Sequence, residues 1–369
     1  MNARSHKRQN EHYRGKSDTG AWKEELLPVS EDKLPRVCLL AAEETSPSVL
    51  YGLYDVLSTA GAVYAELTSG SPGEKTLDVR IVSATGSPFR CFGGVMVEPH
   101  DGIEQVDETD VAIVCDMYTP IDSPPRGRYE REIDWLKRVY AKGAILGSVC
   151  SGSLVLAEAG FLNGQETSGH WAYRELFRDK YPKVKFRMDA ILRFAGEQDR
   201  IVTAGGASSW QDLALYLIAR LCGLQDAIRT AKIHILSDHS DGQLPFAVIT
   251  PRVQRADAVV GACQNWIAEN YACPNPVASM TTRSGLKPRT FARRFLAATG
   301  YQPVDYVHTI RIEEAKQLLE TDTVAVEEIG HIVGYEDPTF FRRLFKREAG
   351  LTPAAYRRKF AKIVRIGPS

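Results

Sequence analysis

Two residues of this 369-residue chain have the types and the spacing for covalent chemistry. Cys150 lies in Gly147-Ser-Val-Cys150-Ser-Gly-Ser, where an apolar run ends and a helical pattern begins. A thiol at such a turn faces a helix N-terminus, which lowers the thiol pKa and favours the nucleophilic thiolate. His170 follows in Thr167-Ser-Gly-His170-Trp171. A cysteine and a histidine that converge in space form a nucleophile and base pair, so these two residues are the candidates for catalysis.

The elements around Cys150 and His170 follow an alternating pattern of strands and helices. Short apolar runs indicate strands at 36–42, 78–84, 110–116 and 143–149. Helical patterns lie between or after them, at 49–60, 128–141, 153–159, 171–180 and 210–222. Continuous apolar strands are typical of a parallel sheet that is buried on both faces. The pattern predicts an α/β doubly wound parallel-sheet sandwich.

The last hundred residues contain an internal repeat. Gly300-Tyr-Gln-Pro-Val-Asp-Tyr306 returns as Gly350-Leu-Thr-Pro-Ala-Ala-Tyr356, and the stretch 285–295 is echoed by 334–345 with one extra residue. Two copies are too few for a solenoid, in which at least three repeats stack. Each copy reads as a short helix, a turn and an arginine-bearing helix, which predicts two helix-turn-helix modules in an all-α domain.

Both copies share the features that a DNA-reading helix requires. Asp337 and Pro338 form an N-cap and a first helical residue, and Pro288 holds the same position after Lys287, which is a poor cap. Phenylalanines at helical spacing are expected to pack inward. The residues expected to face DNA are Arg289, Thr290, Ala292, Arg293, Thr339, Arg342, Arg343 and Lys346. Arginine reads guanine through two hydrogen bonds, worth roughly 1–3 kcal/mol of discrimination.

Charge and composition fit a DNA-binding end joined to a different kind of domain. The whole chain has 46 basic and 46 acidic residues, but residues 262–369 hold 16 basic and 11 acidic ones. Seven dispersed cysteines without Cys-x-x-Cys spacing argue against a zinc site or a disulfide framework and for a reducing cytosol. No apolar run is long enough to span a membrane, and the polar N-terminus is not a secretory signal. We therefore expect a cytoplasmic protein without metal or cofactor.

The repeat region resembles the AraC family of transcriptional regulators from about residue 262 to 360. The resemblance covers both modules, the connecting helix at 304–320 and the closing Gly-Leu-Thr-Pro-Ala-Ala-Tyr-Arg-Arg segment. It implies recognition helices near 288–298 and 338–348 that enter successive major grooves. It also implies a homodimer on double-stranded DNA that activates transcription by RNA polymerase.

The first half resembles the PfpI-like branch of the class I glutamine amidotransferase superfamily, from residue 35 to about 224. The segments that carry the resemblance are 149–164, Thr167 to Trp171, and 204–217. Together with the AraC-type tail, they resemble a GlxA-type regulator. The resemblance implies Cys150 at the nucleophile elbow and His170 as its partner. Active members also supply an acidic residue after the first strand, where Glu43 and Glu44 are the candidates.

These resemblances leave three roles for the α/β domain. It is a degenerate enzyme that binds a small-molecule inducer and mediates dimerisation, an active Cys-His hydrolase or amidase, or a redox sensor based on Cys150; a purely structural dimerisation domain is a further alternative. Cysteine is also often a small buried hydrophobe. The first role is the one we favour, with a cleft at the carboxyl ends of the strands. The residues expected to line that cleft are Glu44, Cys150, Ser151, Gly152, His170, Trp171 and Ser208.

The chain should therefore divide into four segments. Residues 1–34 are polar and are expected to be a disordered tail. Residues 35–224 form the ligand-sensing domain, 225–259 a linker, and 260–362 the DNA-binding domain.

Overall fold

A computed structural model of the chain describes residues 33–236, 239–248 and 257–364, the last four of them by their backbone alone. The expected tail at 1–34 lies outside the described residues except for its last two. The chain separates into two compact units, with the boundary between Ser240 and Asp241. No described helix combines the length and the apolar composition that crossing a bilayer requires.

The first unit contains a mostly parallel seven-stranded sheet, in the order β10-β11-β7-β6-β1-β2-β5. Its strands, with two small two-stranded sheets, are β1 Arg36–Leu40, β2 Asp78–Ser83, β3 Phe89–Arg90, β4 Met96–Val97, β5 Asp101–Gly102, β6 Val111–Val114, β7 Ile145–Val149, β8 Glu166–Thr167, β9 Lys185–Phe186, β10 Leu192–Ala195 and β11 Ile201–Ala204. Only β10 and β11 pair antiparallel within the large sheet. The predicted α/β sandwich is confirmed, and its four predicted strands are β1, β2, β6 and β7.

Seven helices belong to the described part of this unit. They are α1 Pro47–Ser58, α2 Val63–Ser69, α3 Glu130–Ala141, α4 Gly152–Glu158, α5 Arg174–Lys180, α6 Trp210–Leu221 and α7 Leu224–His234. One apolar cluster packs α1 and α6 on one sheet face, and a second packs α3, α4 and α5 on the other. Burial on both faces of the sheet explains why every position of β6 and β7 is buried and why all but Ser148 of β7 are apolar or glycine.

Helix α7 occupies part of the stretch 225–259 that was expected to be a linker. It follows Gly223, whose φ of +97° turns the chain out of α6, and it packs against α6 through Ala227 and Thr230. The sequence pattern did not predict this helix, because it buries only small side chains and because its polar residues are typical of a loop.

The second unit is all-helical, as predicted. Its helices are α8 Ala258–Asn270, α9 Pro276–Ser284, α10 Pro288–Thr299, α11 Pro303–Thr321, α12 Val326–Ile332, α13 Pro338–Ala349 and α14 Pro353–Val364. One core packs α8, α9 and α10 against the first part of α11, and another packs α12, α13 and α14 against its second part. We call these the N-terminal and C-terminal halves. Since α11 has 19 residues, it spans about 28 Å, comparable to the roughly 34 Å between successive major grooves on one face of DNA.

Candidate functional site

Cys150 occupies a sharp turn between β7 and α4. Its φ of +56° lies in the left-handed region, which costs a residue with a side chain on the order of 1–3 kcal/mol. The turn is tight because a Cβ at Gly152 would overlap the Val114 carbonyl oxygen. The backbone therefore has the form of a nucleophile elbow. The Cys150 side chain is buried, with only 6% of the residue accessible.

A carboxylate that the sequence reading missed lies beside this elbow. β6 and β7 are parallel with Val114 opposite Ser148, so Asp116 falls alongside Cys150. Asp116 Oδ1 accepts a hydrogen bond from the Ser151 hydroxyl at 2.6 Å and one from the Ser151 backbone N–H at 3.4 Å. In α/β enzymes the N–H after the nucleophile stabilises the reaction oxyanion. Here the Asp116 side chain lies within hydrogen-bonding distance of that donor.

The expectation of a reactive thiolate is wrong. Burial raises the pKa of the Cys150 thiol well above its usual range, and the Asp116 carboxylate raises it further. The Ser151 N–H acts in the opposite direction but is the weaker influence. Helix α4 has only seven residues, and an adjacent full negative charge outweighs the partial positive charge of its N-terminus. The thiol is therefore protonated at neutral pH.

His170 comes close to this site but does not pair with the thiol. The backbone before His170 passes close to the elbow, because a Cβ at Gly169 would lie 3.4 Å from the Cys150 carbonyl oxygen. The Ala172 N–H donates to Nδ1 of His170 at 3.2 Å, so the neutral ring carries its hydrogen on Nε2. Burial lowers the pKa of His170, and Asp116 opposes that shift. Within the described part of the chain, no hydrogen bond joins the Cys150 thiol to the His170 imidazole.

The other residues expected to line the cleft differ in their burial and in their contacts. Ser151 is buried, and its hydroxyl also accepts from the Met117 N–H at 2.9 Å. Trp171 is half-buried with its ring 5.1 Å from that of His170. Ser208 is exposed in the turn before α6. Gly152 is buried and shapes the turn.

Glu44, expected to approach the cysteine, has other partners. It forms an ion pair with Arg128, and the Tyr129 hydroxyl donates to its second oxygen at 3.0 Å. The acidic group that acts on Cys150 is Asp116. The sequence held a signal for it, because Asp116 ends the apolar run of β6, and the carboxyl ends of adjacent parallel strands share one edge of the sheet.

Two exposed aromatic rings lie on segments that contact the backbone next to Asp116. Tyr118 stacks on Phe92 with ring centroids 5.2 Å apart, and the two residues are 56% and 51% exposed. The Phe92 N–H donates to Thr45 O, and Thr45 forms a β-bridge with Met117. The Ser46 N–H donates to the Asp116 carbonyl oxygen at 2.8 Å. These contacts gather one carboxylate and several aromatic faces at one edge of the sheet.

The second unit repeats one design in α10 and α13. Phe291 and Phe295 are buried in α10, and Phe341 and Phe345 occupy the matching positions of α13. Asp337 accepts from the Thr339 N–H at 2.8 Å and so caps α13. Lys287 makes no side-chain bond at the start of α10. Burial of one apolar face leaves the opposite face of each helix in solvent.

The residues expected to contact DNA lie mainly on those solvent faces. Ala292 is half-buried. The other seven are exposed: Arg289, Thr290, Arg293, Thr339, Arg342, Arg343 and Lys346. Both recognition helices therefore present cationic or small polar groups outward.

The arginines of the two helices differ in their partners. Within the described residues, Arg289 and Arg293 of α10 form no ion pair. In α13, Arg342 pairs with Glu327, and Arg343 lies over the Phe340 ring at 5.8 Å. Of the arginines expected to face DNA, those of α10 are therefore unpaired within the described residues, whereas those of α13 contact Glu327 and Phe340.

Arg311 of α11 is a structural arginine that the sequence reading missed. It is only 7% exposed and donates to Tyr271 O at 2.7 Å, Gly334 O at 2.8 Å and Cys273 O at 3.0 Å. Two of these carbonyls follow α8, and the third precedes α13, so one side chain ties the two halves together. Nothing in the local sequence separates this buried arginine from the exposed ones.

Two family models match the two units. The model of the DJ-1/PfpI family matches residues 35–220, and a helix-turn-helix domain model matches residues 280–359. The first match covers half of the chain, and the second contains α10 and α13.

Several transcriptional regulators are similar to the chain. The HTH-type transcriptional regulator CdhR of Pseudomonas aeruginosa is 26% identical over 282 residues, which cover 74% of this chain and 80% of CdhR. The HTH-type transcriptional regulator GlxA of Rhizobium meliloti is 28% identical over 234 residues, 61% of this chain and 68% of GlxA. A crystal structure of an AraC family transcriptional regulator from Pseudomonas putida is 22% identical with a TM-score of 0.44, and covers 54% of this chain and 99% of that one.

The elbow and the two arginine-bearing helices agree with the two family models. The chain belongs to the DJ-1/PfpI family and, with its AraC-type helix-turn-helix domain, is a transcriptional regulator of the kind to which GlxA and CdhR belong.

Proposed function

We propose that the α/β unit senses a small metabolite at the edge of the sheet beside Cys150, and that the chain acts as a ligand-dependent transcriptional activator. The observation that carries this proposal is Asp116 at the elbow. Its carboxylate takes the Ser151 N–H that an oxyanion would need, while the backbone turn is kept. A site with preserved shape and blocked chemistry suits binding rather than turnover.

The charge of the site supports a class of ligand. Asp116 is the charged group that acts on both Cys150 and His170. The faces of Trp171, Tyr118 and Phe92 are partly or largely exposed nearby. A carboxylate with aromatic faces favours a positively charged nitrogen. This agrees with amino acids and quaternary amines, the inducers that family analogy suggests.

The two alternatives for Cys150 both require a thiolate. A hydrolase needs it as the nucleophile, and a redox sensor needs it for oxidation. Burial and Asp116 raise the pKa of this thiol, which opposes both roles. We therefore propose that the unit is not an enzyme.

For the second unit we propose sequence-specific recognition of double-stranded DNA by α10 and α13. Arg293 and Arg343, one turn inside each helix, are the proposed base readers, and Lys346 and Arg289 the proposed phosphate contacts. The chain would act in the cytoplasm as a homodimer on paired half-sites, where it would recruit RNA polymerase. The inducer would need to bind one arrangement of the dimer more tightly than another, since only differential affinity shifts the equilibrium.

Matched probes test the sensor role in the full-length protein. Thermal unfolding is measured with a trimethylammonium alcohol and with its neutral tert-butyl isostere. We expect the charged compound to raise the melting temperature by mass action and the isostere to raise it less. Asp116→Asn should remove the difference between them. Equal shifts from both probes would contradict the proposed cationic ligand, and turnover of any tested amide or ester would contradict the non-enzymatic role.

DNA recognition is tested with a duplex selected from a random pool by the full-length chain. Competition with an unrelated duplex measures specificity, and a salt titration should give a slope of about 0.9 per phosphate neutralised. Failure to enrich any sequence would argue against base reading by these helices.

A further inference from the structure

The first segment of the second unit, residues 241–248, packs on the C-terminal half. We call this segment the clasp. Asp241 forms an ion pair with Lys359, whose Nζ lies 2.7 Å from the carboxylate. The Phe246 ring packs edge-on against Phe360, with ring centroids 5.5 Å apart. Lys359 also lies 5.0 Å above the Phe246 ring. Two separate residues of the clasp therefore hold α14.

A buried lysine fixes the other end of the clasp. Lys316 of α11 is only 3% exposed, and its Nζ donates to Ala247 O at 2.9 Å and to Glu313 at 2.8 Å. An ammonium group in the interior is destabilising unless its hydrogen bonds are made. Displacement of Ala247 would remove one of these bonds, so the clasp cannot leave without a penalty to the core of the C-terminal half.

The clasp also contacts the end of the second recognition helix. Gly350 closes α13 with a φ of +75°, and a Cβ there would lie 3.2 Å from Leu244 Cβ. Movement of Leu244 would therefore change the packing at the last turn of α13. The contacts of the clasp thus reach α11, α13 and α14, the main helices of one half.

The N-terminal half is held by a later residue. Asp257 accepts from the Val259 and Val260 N–H groups at 3.1 Å each, which caps α8. It also binds Arg294 of α10 at 2.6 Å. Upstream of the clasp, His239 Nδ1 is 2.7 Å from Asp212 of α6 in the first unit. Ser240 alone separates that anchor from Asp241.

We propose that the clasp is the route by which a change in the α/β unit enters the DNA-binding unit, and that it acts on the C-terminal half first. This order is the reverse of the sequence, in which α8, α9 and α10 come directly after the connecting segment. An inducer would then change the affinity of α13 for DNA, while α10 stays bound to its groove. The biological use of this route rests on the proposed sensor function, but the route itself does not.

The route is tested by release of its first anchor in the full-length protein. Asp212→Asn weakens the hold on His239, and hydrogen exchange is measured in the second unit. We expect amides of α13, α14 and the second part of α11 to exchange about tenfold faster, as when one bond to a charged group is lost. Peptides from α9 and α10 should be unchanged. Asp134→Asn, on the exposed face of α3, is the matched control.

Equal acceleration in both halves, or in α9 and α10 alone, would overturn the proposal. So would unchanged exchange throughout the second unit. Since no ligand or DNA is used, this outcome is separate from failure of the sensor function.

A second variant tests the consequence for DNA. Phe246→Ala removes the ring contact with Phe360, and Val248→Ala, at a more exposed position, is its control. On the duplex selected by the wild-type chain, a hydroxyl-radical footprint of Phe246→Ala should lose protection over one groove and keep it over the other. Uniform loss over both grooves would contradict an action through one half. A wild-type chain without a footprint would count against DNA recognition instead, and would leave the exchange result standing.

Discussion

The two candidate sites of this chain differ in what their charged groups are bonded to. At the edge of the sheet, Asp116 is held by Ser151, and Glu44 by Arg128 and Tyr129. On α10, Arg289 and Arg293 form no ion pair within the described residues. A carboxylate that is already bonded shapes a small binding site, whereas an arginine left in solvent is available to a polyanion. Residue type alone therefore does not assign a role to a charged side chain, because its bonding partners determine what it can bind.

The strongest test of this contrast replaces two arginines of the second unit, one at a time, with methionine. Arg311→Met leaves three backbone carbonyls without their donor, and we expect it to lower the free energy of unfolding by about 3–5 kcal/mol. Arg289→Met, at an exposed position, should change it by less than about 0.5 kcal/mol. Chemical denaturation measures both. Similar values for the two variants would contradict the structural role of Arg311.

A second test separates free arginines from paired ones on DNA. Arg293→Ala should weaken binding to the selected duplex by about 1–3 kcal/mol and relax one base position. Arg342→Ala should weaken it less, because Arg342 must first give up Glu327. Fluorescence anisotropy with single-base variants of the duplex gives the affinities. A larger loss for Arg342→Ala would mean that its ion pair positions the side chain for DNA.

A third test compares the starts of the two recognition helices. Asp337→Ala removes the cap of α13 and should destabilise the second unit by about 1 kcal/mol. Lys287→Ala should have almost no effect, since Lys287 makes no capping bond. Thermal unfolding followed by circular dichroism distinguishes them. Equal destabilisation would indicate that the side-chain cap contributes little to α13.

The smallest expected change concerns the thiol. Asp116→Asn removes the negative charge beside Cys150 and should lower its pKa, while burial still keeps the pKa above its usual range. The rate of alkylation by iodoacetamide, followed from pH 7 to 10, should therefore rise at lower pH in the variant. Peptide mass spectrometry isolates Cys150 from the other cysteines. An unchanged pH profile would mean that burial alone governs the thiol.

Much of the fold was readable in the sequence, for reasons that are local. Apolar runs predicted β1, β2, β6 and β7, because strands buried on both faces of a sheet are rich in apolar residues. The repeat predicted α10 and α13, whose Pro, Phe and Gly residues mark the start, the buried face and the end of each helix. Helix α7 was missed because it buries Ala and Thr rather than large side chains.

The site was less predictable than the fold. Cys150 and its turn could be recognised from the strand–Cys–Ser–Gly pattern alone, and the structure has the turn. The raised pKa of the thiol could not be recognised in this way, because it depends on Asp116, 34 positions earlier in the chain. Only the pairing of β6 with β7 brings Asp116 alongside Cys150.

The sequence by itself determined the two domain types, the positions of the recognition helices and the turn at Cys150. These follow from periodicity, capping and glycine placement, which act over a few residues. Long-range packing accounts for the raised pKa of the Cys150 thiol, for the burial of Arg311 beside the exposed Arg293, and for the contacts of the clasp with the C-terminal half. Each of these depends on burial and on charges brought together from distant positions, and electrostatic interactions depend on distance in space rather than in sequence.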